Sequence, residues 1–278
     1  MINEQLSPDF TTELLEKRLK QLETTLSKIK QETNYQLNDH SRIHQKGKYV
    51  EYYQLCKERT NYGNYILLKD TKAAARLAQN DYNKKIIKLL QKEINAIKLY
   101  FIRTKASALL KLYTNMTPTR QKLITPVTLT NEQYSQQWLS VSWQGLPFTE
   151  DNPELYTSTG VRVRSKSEVL IADALTRHGI PYRYEYPLQL KKSQINKSPA
   201  IFHPDFMCLN TRTRQEFYWE HFGLMDSPEY AKNATGKLRL YTENGIFPGR
   251  NLIITMETQT EPLSTQTIDL TIKQYLIS

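Results

Sequence analysis

Three carboxylates and one lysine lie on successive segments of this 278-residue chain. Glu168 sits in Ser165-Lys166-Ser167-Glu168, and Asp205 in His203-Pro204-Asp205-Phe206. Glu220 sits in Tyr218-Trp219-Glu220-His221-Phe222-Gly223, and Lys237 follows in the next helical segment. Phosphodiester hydrolysis draws on such a set. A divalent cation activates water and offsets charge on the phosphate. Mg²⁺ prefers hard oxygen ligands, typically one or two carboxylates completed by water and substrate oxygens. A nearby lysine orients the attacking water and stabilises the developing negative charge. Asp205 and Glu220 on neighbouring strands would meet at one ion, with Glu168 approaching from the preceding helix.

The elements that must position these groups are readable around them. Ser165 is an N-cap for a helix that Gly179-Ile180-Pro181 ends. Tyr182 to Leu190 alternates and is aromatic-rich, which predicts a strand. Ala200 to Leu209 predicts a second strand in which Pro204 requires an edge or a bulge. Arg214 to Gly223 predicts a third. Asp226-Ser227-Pro228-Glu229 opens a helix, with Pro228 tolerated at its first position, and Asn244-Gly245 closes it. Asn251 to Met256 is a fourth strand and Thr265 to Leu276 a last helix. Plainer roles stand beside the chemical ones. Ser165-x-x-Glu168 is also a capping box, Pro-Asp is a common turn, and Lys237 could snorkel past Tyr241 into solvent.

At these residues the chain resembles the PD-(D/E)XK nuclease superfamily. Pro204-Asp205 matches the first half of that motif, Glu220 its acidic second half, and Glu168 the acidic residue of the preceding helix. Arg164-Ser165-Lys166-Ser167-Glu168 with Trp219-Glu220-His221-Phe222-Gly223 is similar to a group of bacterial members. The resemblance implies a restriction-endonuclease-like core and a Mg²⁺- or Mn²⁺-dependent deoxyribonuclease, and DNA over RNA rests on it alone. It spans about Gly160 to the C-terminus. The motif lysine should lie two residues after Glu220, where the chain has Phe222. In some members it has moved to the following helix. Tyr230, Ala234, Lys237 and Tyr241 follow i, i+4, i+7, i+11 spacing on one helical face, so Lys237 suits that role.

The rest of the chain bounds the setting. Hydrophobic residues make up 39% of it, enough for a core, and no run approaches the ~18 apolar residues of a membrane span. Cys56 and Cys208 are too few for a disulfide framework or a zinc site. With Met1-Ile2-Asn3-Glu4-Gln5 lacking signal-peptide character, a cytoplasmic location is expected. Residues 1–150 carry 23 Lys+Arg against 14 Asp+Glu, whereas 151–278 carry 15 against 14. Basic charge on one domain is what backbone-phosphate binding requires, although lysine-rich faces also occur merely as solvated surface.

Ser7-Pro8 predicts a helix start. Leu15, Leu19, Leu22, Leu26 and Ile29 then form a short coiled-coil seam. Its expected partner is a helix over Thr71 to Tyr113 with the stripe Ile86, Leu90, Ile94, Ile97 and Phe101. Lys84, Lys88, Lys92, Arg103 and Lys105 on that helix are the candidate nucleic-acid contacts. Gly47 to Leu55 and Asn64 to Leu68 read as a hairpin turned by Asn61-Tyr62-Gly63-Asn64. His40 and His44 stand at i, i+4 with no third ligand, so no metal site is expected there. Thr114 to Thr159 is proline-interrupted, with a short helix over Asn131 to Leu139 and Trp138 and Trp143 packing onto a domain.

The chain is therefore expected to be α/β, in three parts. Residues 1–115 form a basic helical, coiled-coil arm carrying a β-hairpin, and 116–159 a connector. Residues 160–278 form a nuclease domain with a mixed four-stranded sheet between helices. The expected partners are nucleic acid, no membrane, and a second copy or another protein through the coiled-coil arm. An inactive nucleic-acid-binding or assembly protein on a degenerate nuclease fold is the alternative, and a coiled-coil dimerisation protein a third.

Overall fold

A computed structural model describes residues 2–33, 40–55, 64–66, 71–104, 108–150, 152–190 and 200–277. The chain forms two compact units rather than three parts. One is Asp9–Leu112, and the other joins Met1–Pro8 to Tyr113–Ser278.

In the first unit, helix α1 spans Thr11–Glu32. It starts later than Ser7-Pro8 implies. The first eight residues belong to the other unit, where Arg214 meets Glu4 at 3.4 Å. Strands β1 (His40–Lys46), β2 (Tyr49–Leu55) and β3 (Asn64–Ile66) form an antiparallel sheet in the order β1-β2-β3. The expected hairpin is thus β2 with β3, and β1 is an additional strand that its polar sequence concealed. His44 points on it toward Glu51 at 3.6 Å. Most of the expected hairpin turn lies outside the described residues. Helix α2 spans Thr71–Thr104. The seam and stripe meet, with Leu22 and Leu26 buried against Ile94 and Ile97, and Ile87 takes the place in the core expected for Ile86. Arg18 pairs with Glu93 at 2.9 Å and Lys98 with Glu23 at 2.7 Å. Helix α3 spans Ala108–Thr114, and residues 105–107 of the expected second helix lie outside the described residues.

The other unit adds α4 (Pro118–Gln121), α5 (Asn131–Leu139), the strand pair β4 (Leu155–Tyr156) and β5 (Arg162–Val163), and α6 (Lys166–Arg177). Then come β6 (Tyr182–Tyr184), β7 (Leu188–Leu190), β8 (Ala200–Phe202), β9 (Phe206–Leu209) and β10 (Glu216–Phe222). Helix α7 (Pro228–Glu243), β11 (Leu252–Met256) and α8 (Thr265–Ile272) follow, and the chain closes on a wider helical turn, Lys273–Ile277. A four-stranded mixed sheet, β11-β10-β9-β6, is the centre. Its β10–β11 pair is parallel, joined across α7, and the β10–β9 and β9–β6 pairs are antiparallel.

Two expected strands are each broken in two. Glu185 takes φ 49° after β6, so Tyr182 to Leu190 cannot run straight through the sheet. Pro204 falls between β8 and β9. Having no N–H to donate, it ends one ladder just before an interior strand begins. Among the described residues, β7 and β8 pair only with each other.

Strand alternation decides which face each side chain takes. Phe217 and Trp219 of β10, with Phe206, Cys208 and Ile253, pack against Ile171, Leu175, Ile268 and Ile272 of α6 and α8. Tyr218 faces the other way, toward Leu240 and Tyr241 of α7. On that same side Trp138 of α5 is buried against Met207 and Leu209. Segment 116–159 is thus packed structure. Trp138 Nε1 donates to Glu216 at 2.6 Å, and the Arg183 guanidinium lies 4.0 Å from the Trp138 ring centre. Among the described residues, no helix is long and apolar enough to cross a membrane.

Candidate active site

The alternation that sends Trp219 into the core turns Glu220 toward α7, and Asp205, one residue before the core-facing Phe206, takes the same face. The two carboxylates line a cleft of about 230 Å³ with His221, Phe222, Tyr230, Asn233, Ala234 and Lys237. Helix α7 supplies four of these residues. Its start is fixed by Ser227, whose hydroxyl accepts from the Tyr230 amide, and by Pro228 after it. Its end is fixed by Gly245 at φ 78°, a conformation open to glycine at little cost.

Glu220 is 1% exposed. Its Oε2 lies 2.6 Å from Lys237 Nζ, and its Oε1 accepts from the Tyr241 hydroxyl at 2.5 Å. Tyr241 is itself fully buried. Asp205 is half-buried, and its Oδ2 accepts from the His221 amide at 2.6 Å. Its carbonyl accepts from Glu185 N at 3.1 Å. Burial and then the neighbouring Glu220 charge push the Asp205 carboxyl well above the usual carboxylate range, with Lys237 opposing. Burial also raises Glu220, opposed by Lys237 and Tyr241. The ionised forms of both carboxyls are therefore disfavoured in the cleft, with Lys237 the charge that opposes this.

Glu168 does not line this cleft. Its Oε1 accepts from the Ser165 hydroxyl at 3.0 Å, and its Oε2 from Arg164 N at 2.9 Å and the Tyr184 hydroxyl at 2.7 Å. Ser165 caps α6 by accepting from Glu168 N at 3.1 Å, but the Glu168 carboxylate takes the Arg164 amide instead of the Ser165 amide of a capping box, and its charge raises both Asp205 and Glu220. Phe222, at the usual lysine position, shares the Glu220 face and packs edge-on against Tyr230 at 6.5 Å.

Behind the strand, His221 Nδ1 lies 3.0 Å from the Thr255 hydroxyl, which accepts from Trp219 Nε1. His221 Nε2 stands 3.2 Å from Glu257, whose carboxylate also accepts from Ser167 at 2.7 Å. This network holds the β10 end against the start of α6. Segment 116–159 braces the Asp205 side. Arg164 pairs with Glu185 at 2.6 Å, and Leu146 N donates to Glu185 at 3.0 Å. A Cβ on Gly145 would come within 3.1 Å of the Glu185 carboxylate, so a side chain there would crowd this brace.

Of the expected set, Asp205, Glu220 and Lys237 share the cleft, and Glu168, expected as a further ligand of the same ion, lies outside its lining. In the sequence Tyr241 and Tyr230 read as packing only, and Asn233 carries no assigned role. The signal for all three is their helical spacing from Lys237. Glu257 carries no comparable signal.

Among the described residues, no group of three or more His, Cys, Asp or Glu is arranged to hold a metal ion. The Asp205–Glu220 pair nonetheless fits Mg²⁺ or Mn²⁺, which need only one or two protein carboxylates. Both are hard oxygen donors whose ionised forms need an added positive charge.

The other candidate set lies in the first unit. Lys88 and Lys92 are exposed on α2, Lys84 is half-buried, and Arg103 is exposed in the last turn. Lys105 lies outside the described residues. No protein-family model, curated protein or solved structure matches the chain.

Proposed function

We propose that the chain is a metal-dependent nuclease of the PD-(D/E)XK kind, with a restriction-endonuclease-like core in its larger unit, acting on DNA. One observation carries this reading. Lys237, from the helix after β10, reaches Glu220 across the cleft that Asp205 shares, so the charge missing at Phe222 is supplied from α7.

In this reading Asp205 and Glu220 would hold Mg²⁺ or Mn²⁺. When bound, the ion supplies Lewis acidity toward the phosphate and the attacking water. Tyr241 fixes the Glu220 carboxylate by holding Oε1. Lys237 spends one N–H on Oε2 and keeps two more donors for a phosphate oxygen or the water. Glu168 holds the start of α6 and adds negative field. The exposed lysines of α2 supply backbone affinity without base readout.

The experiment is a cleavage assay with Mg²⁺ and Mn²⁺ on single-stranded, double-stranded and branched DNA, with RNA in parallel. Divalent-dependent cleavage of DNA, lost in Asp205→Ala, supports the reading. A second reading is a nucleic-acid-binding protein on a degenerate nuclease fold. It is favoured by Phe222 and by the engagement of both Glu220 oxygens. Salt-dependent DNA binding with no cleavage under any of these conditions would select it.

A further inference from the structure

Helix α7 contains a glycine that the fold does not explain. Gly236 lies in its interior, where glycine is less favourable than alanine. It has no positive φ, and a Cβ built on it meets nothing within 4 Å. It is exposed, so neither packing nor backbone strain requires it. Among the described residues nothing fills the space beside it, so this bare backbone position leaves room for close approach by something outside the chain.

Its surroundings indicate what approaches. Asn233, three residues earlier, lines the cleft with Asp205, Glu220 and Lys237. Lys232, four residues before Gly236, and Arg239, three after, extend the same exposed face. Neither pairs with an acidic side chain among the described residues. Glu229 in the first turn and Glu243 in the last bound this face at the two helix ends. The central turn is thus polar, cationic and low in relief, and it runs into the cleft.

We infer that the Lys232–Asn233–Gly236–Arg239 face of α7 is the track on which a phosphodiester backbone lies as it enters the cleft, an inference that rests on the nuclease reading. Lys232 and Arg239 contact phosphate oxygens, Asn233 donates at the cleft edge, and Gly236 lets the sugar-phosphate chain lie against the helix. Phosphate contacts of this kind position a substrate without reading its sequence.

The test uses the full chain and a labelled duplex DNA oligonucleotide with Mg²⁺, in three proteins: wild type, Gly236→Gln, and Lys232→Gln with Arg239→Gln. Gly236→Gln should melt at a higher temperature, because a good helix former replaces glycine, yet its KM should rise several-fold with kcat less affected. The double variant should raise KM by roughly tenfold at low salt and flatten the log–log salt dependence by about two units, one per phosphate contact. Wild-type KM and salt slope in both variants would overturn the track and leave the nuclease reading intact. A wild-type chain that neither binds nor cleaves nucleic acid would overturn both.

Discussion

Lys237 Nζ stands 2.6 Å from Glu220 Oε2, although the two residues come from different elements 17 positions apart. The strand turns Glu220 out of the main core, and Tyr230, Ala234 and Tyr241 on the same helical face bring α7 down over it. Lys237 keeps about a quarter of its side chain open, whereas Glu220 keeps 2%. The pair is thus a buried carboxylate whose counter-charge arrives from the solvent side. Such an arrangement costs stability when one partner is removed, and it leaves the ammonium able to meet an incoming anion.

Asp205 should weaken the metal-free fold. Its folded-state pKa is raised, so the native state holds a proton to higher pH than the unfolded chain does. Ionising it therefore removes stability as pH climbs above the ordinary carboxylate range toward the raised value. Without divalent ions at pH 8, Asp205→Asn should melt about 2–4 °C above wild type, equivalent to roughly 1 kcal/mol for a unit of this size. The difference should close below about pH 4. Mg²⁺ should raise the wild-type melting temperature by linkage and leave the variant unmoved. Thermal melts at both pH values, with and without Mg²⁺, check the sign.

Tyr241→Phe removes the hydroxyl that holds Glu220 Oε1 and leaves a buried carboxylate oxygen short of a donor. The loss should be about 1–3 kcal/mol in denaturant unfolding. The cleavage rate at saturating Mg²⁺ should fall with it, since the carboxylate is free to turn. Unchanged stability and rate would show that the hydroxyl is incidental to the site.

Glu168→Gln keeps the shape and can still accept from Arg164 N and the Tyr184 hydroxyl while its amide donates to Ser165. It should cost about 1 kcal/mol, the difference between charge-assisted and neutral hydrogen bonds. It should also lose less of the cleavage rate than Asp205→Asn. A loss as large as that of Asp205→Asn, with the fold intact, would place Glu168 among the ion's ligands.

Neutralising Lys88 and Lys92 on α2 should weaken DNA binding across all sequences and reduce the salt slope by about two units. Titrations at several salt concentrations measure both. A slope equal to that of wild type would make this face solvated surface only.

Much of this site was legible because its signals are local. Ser165 and Ser227 cap the helices that follow them, Gly179 and Gly245 end them, and period-3.6 spacing alone places Lys237 with Tyr241. Breaks caused by tertiary context were not legible. Glu185 leaves the extended conformation to receive Arg164 and Leu146, and nothing in Tyr182 to Leu190 announces those distant partners. Strand β1 was missed because it is polar and depends on pairing with β2. The first eight residues read as the approach to a helix, but Glu4 is held by Arg214 from far along the chain. Glu168 has two readings in the sequence, and its carboxylate is taken up by the Ser165 hydroxyl, the Arg164 amide and the Tyr184 hydroxyl, a set that its spacing from Ser165 does not announce.

The most direct measurement is single-turnover cleavage of duplex DNA by Lys237→Met, with Mg²⁺ affinity determined on the same preparation. Methionine is similar in length, keeps the packing of the α7 face and removes the charge. The variant should fold with a loss of about 1–3 kcal/mol, below the ~3–5 kcal/mol of a fully buried pair. It should bind Mg²⁺ through Asp205 and Glu220 and cut at least a hundredfold more slowly, the order expected when one preorganised charge-stabilising donor is lost. Cleavage at the wild-type rate by a folded, Mg²⁺-binding Lys237→Met would contradict the assignment of the α7 lysine to the chemistry.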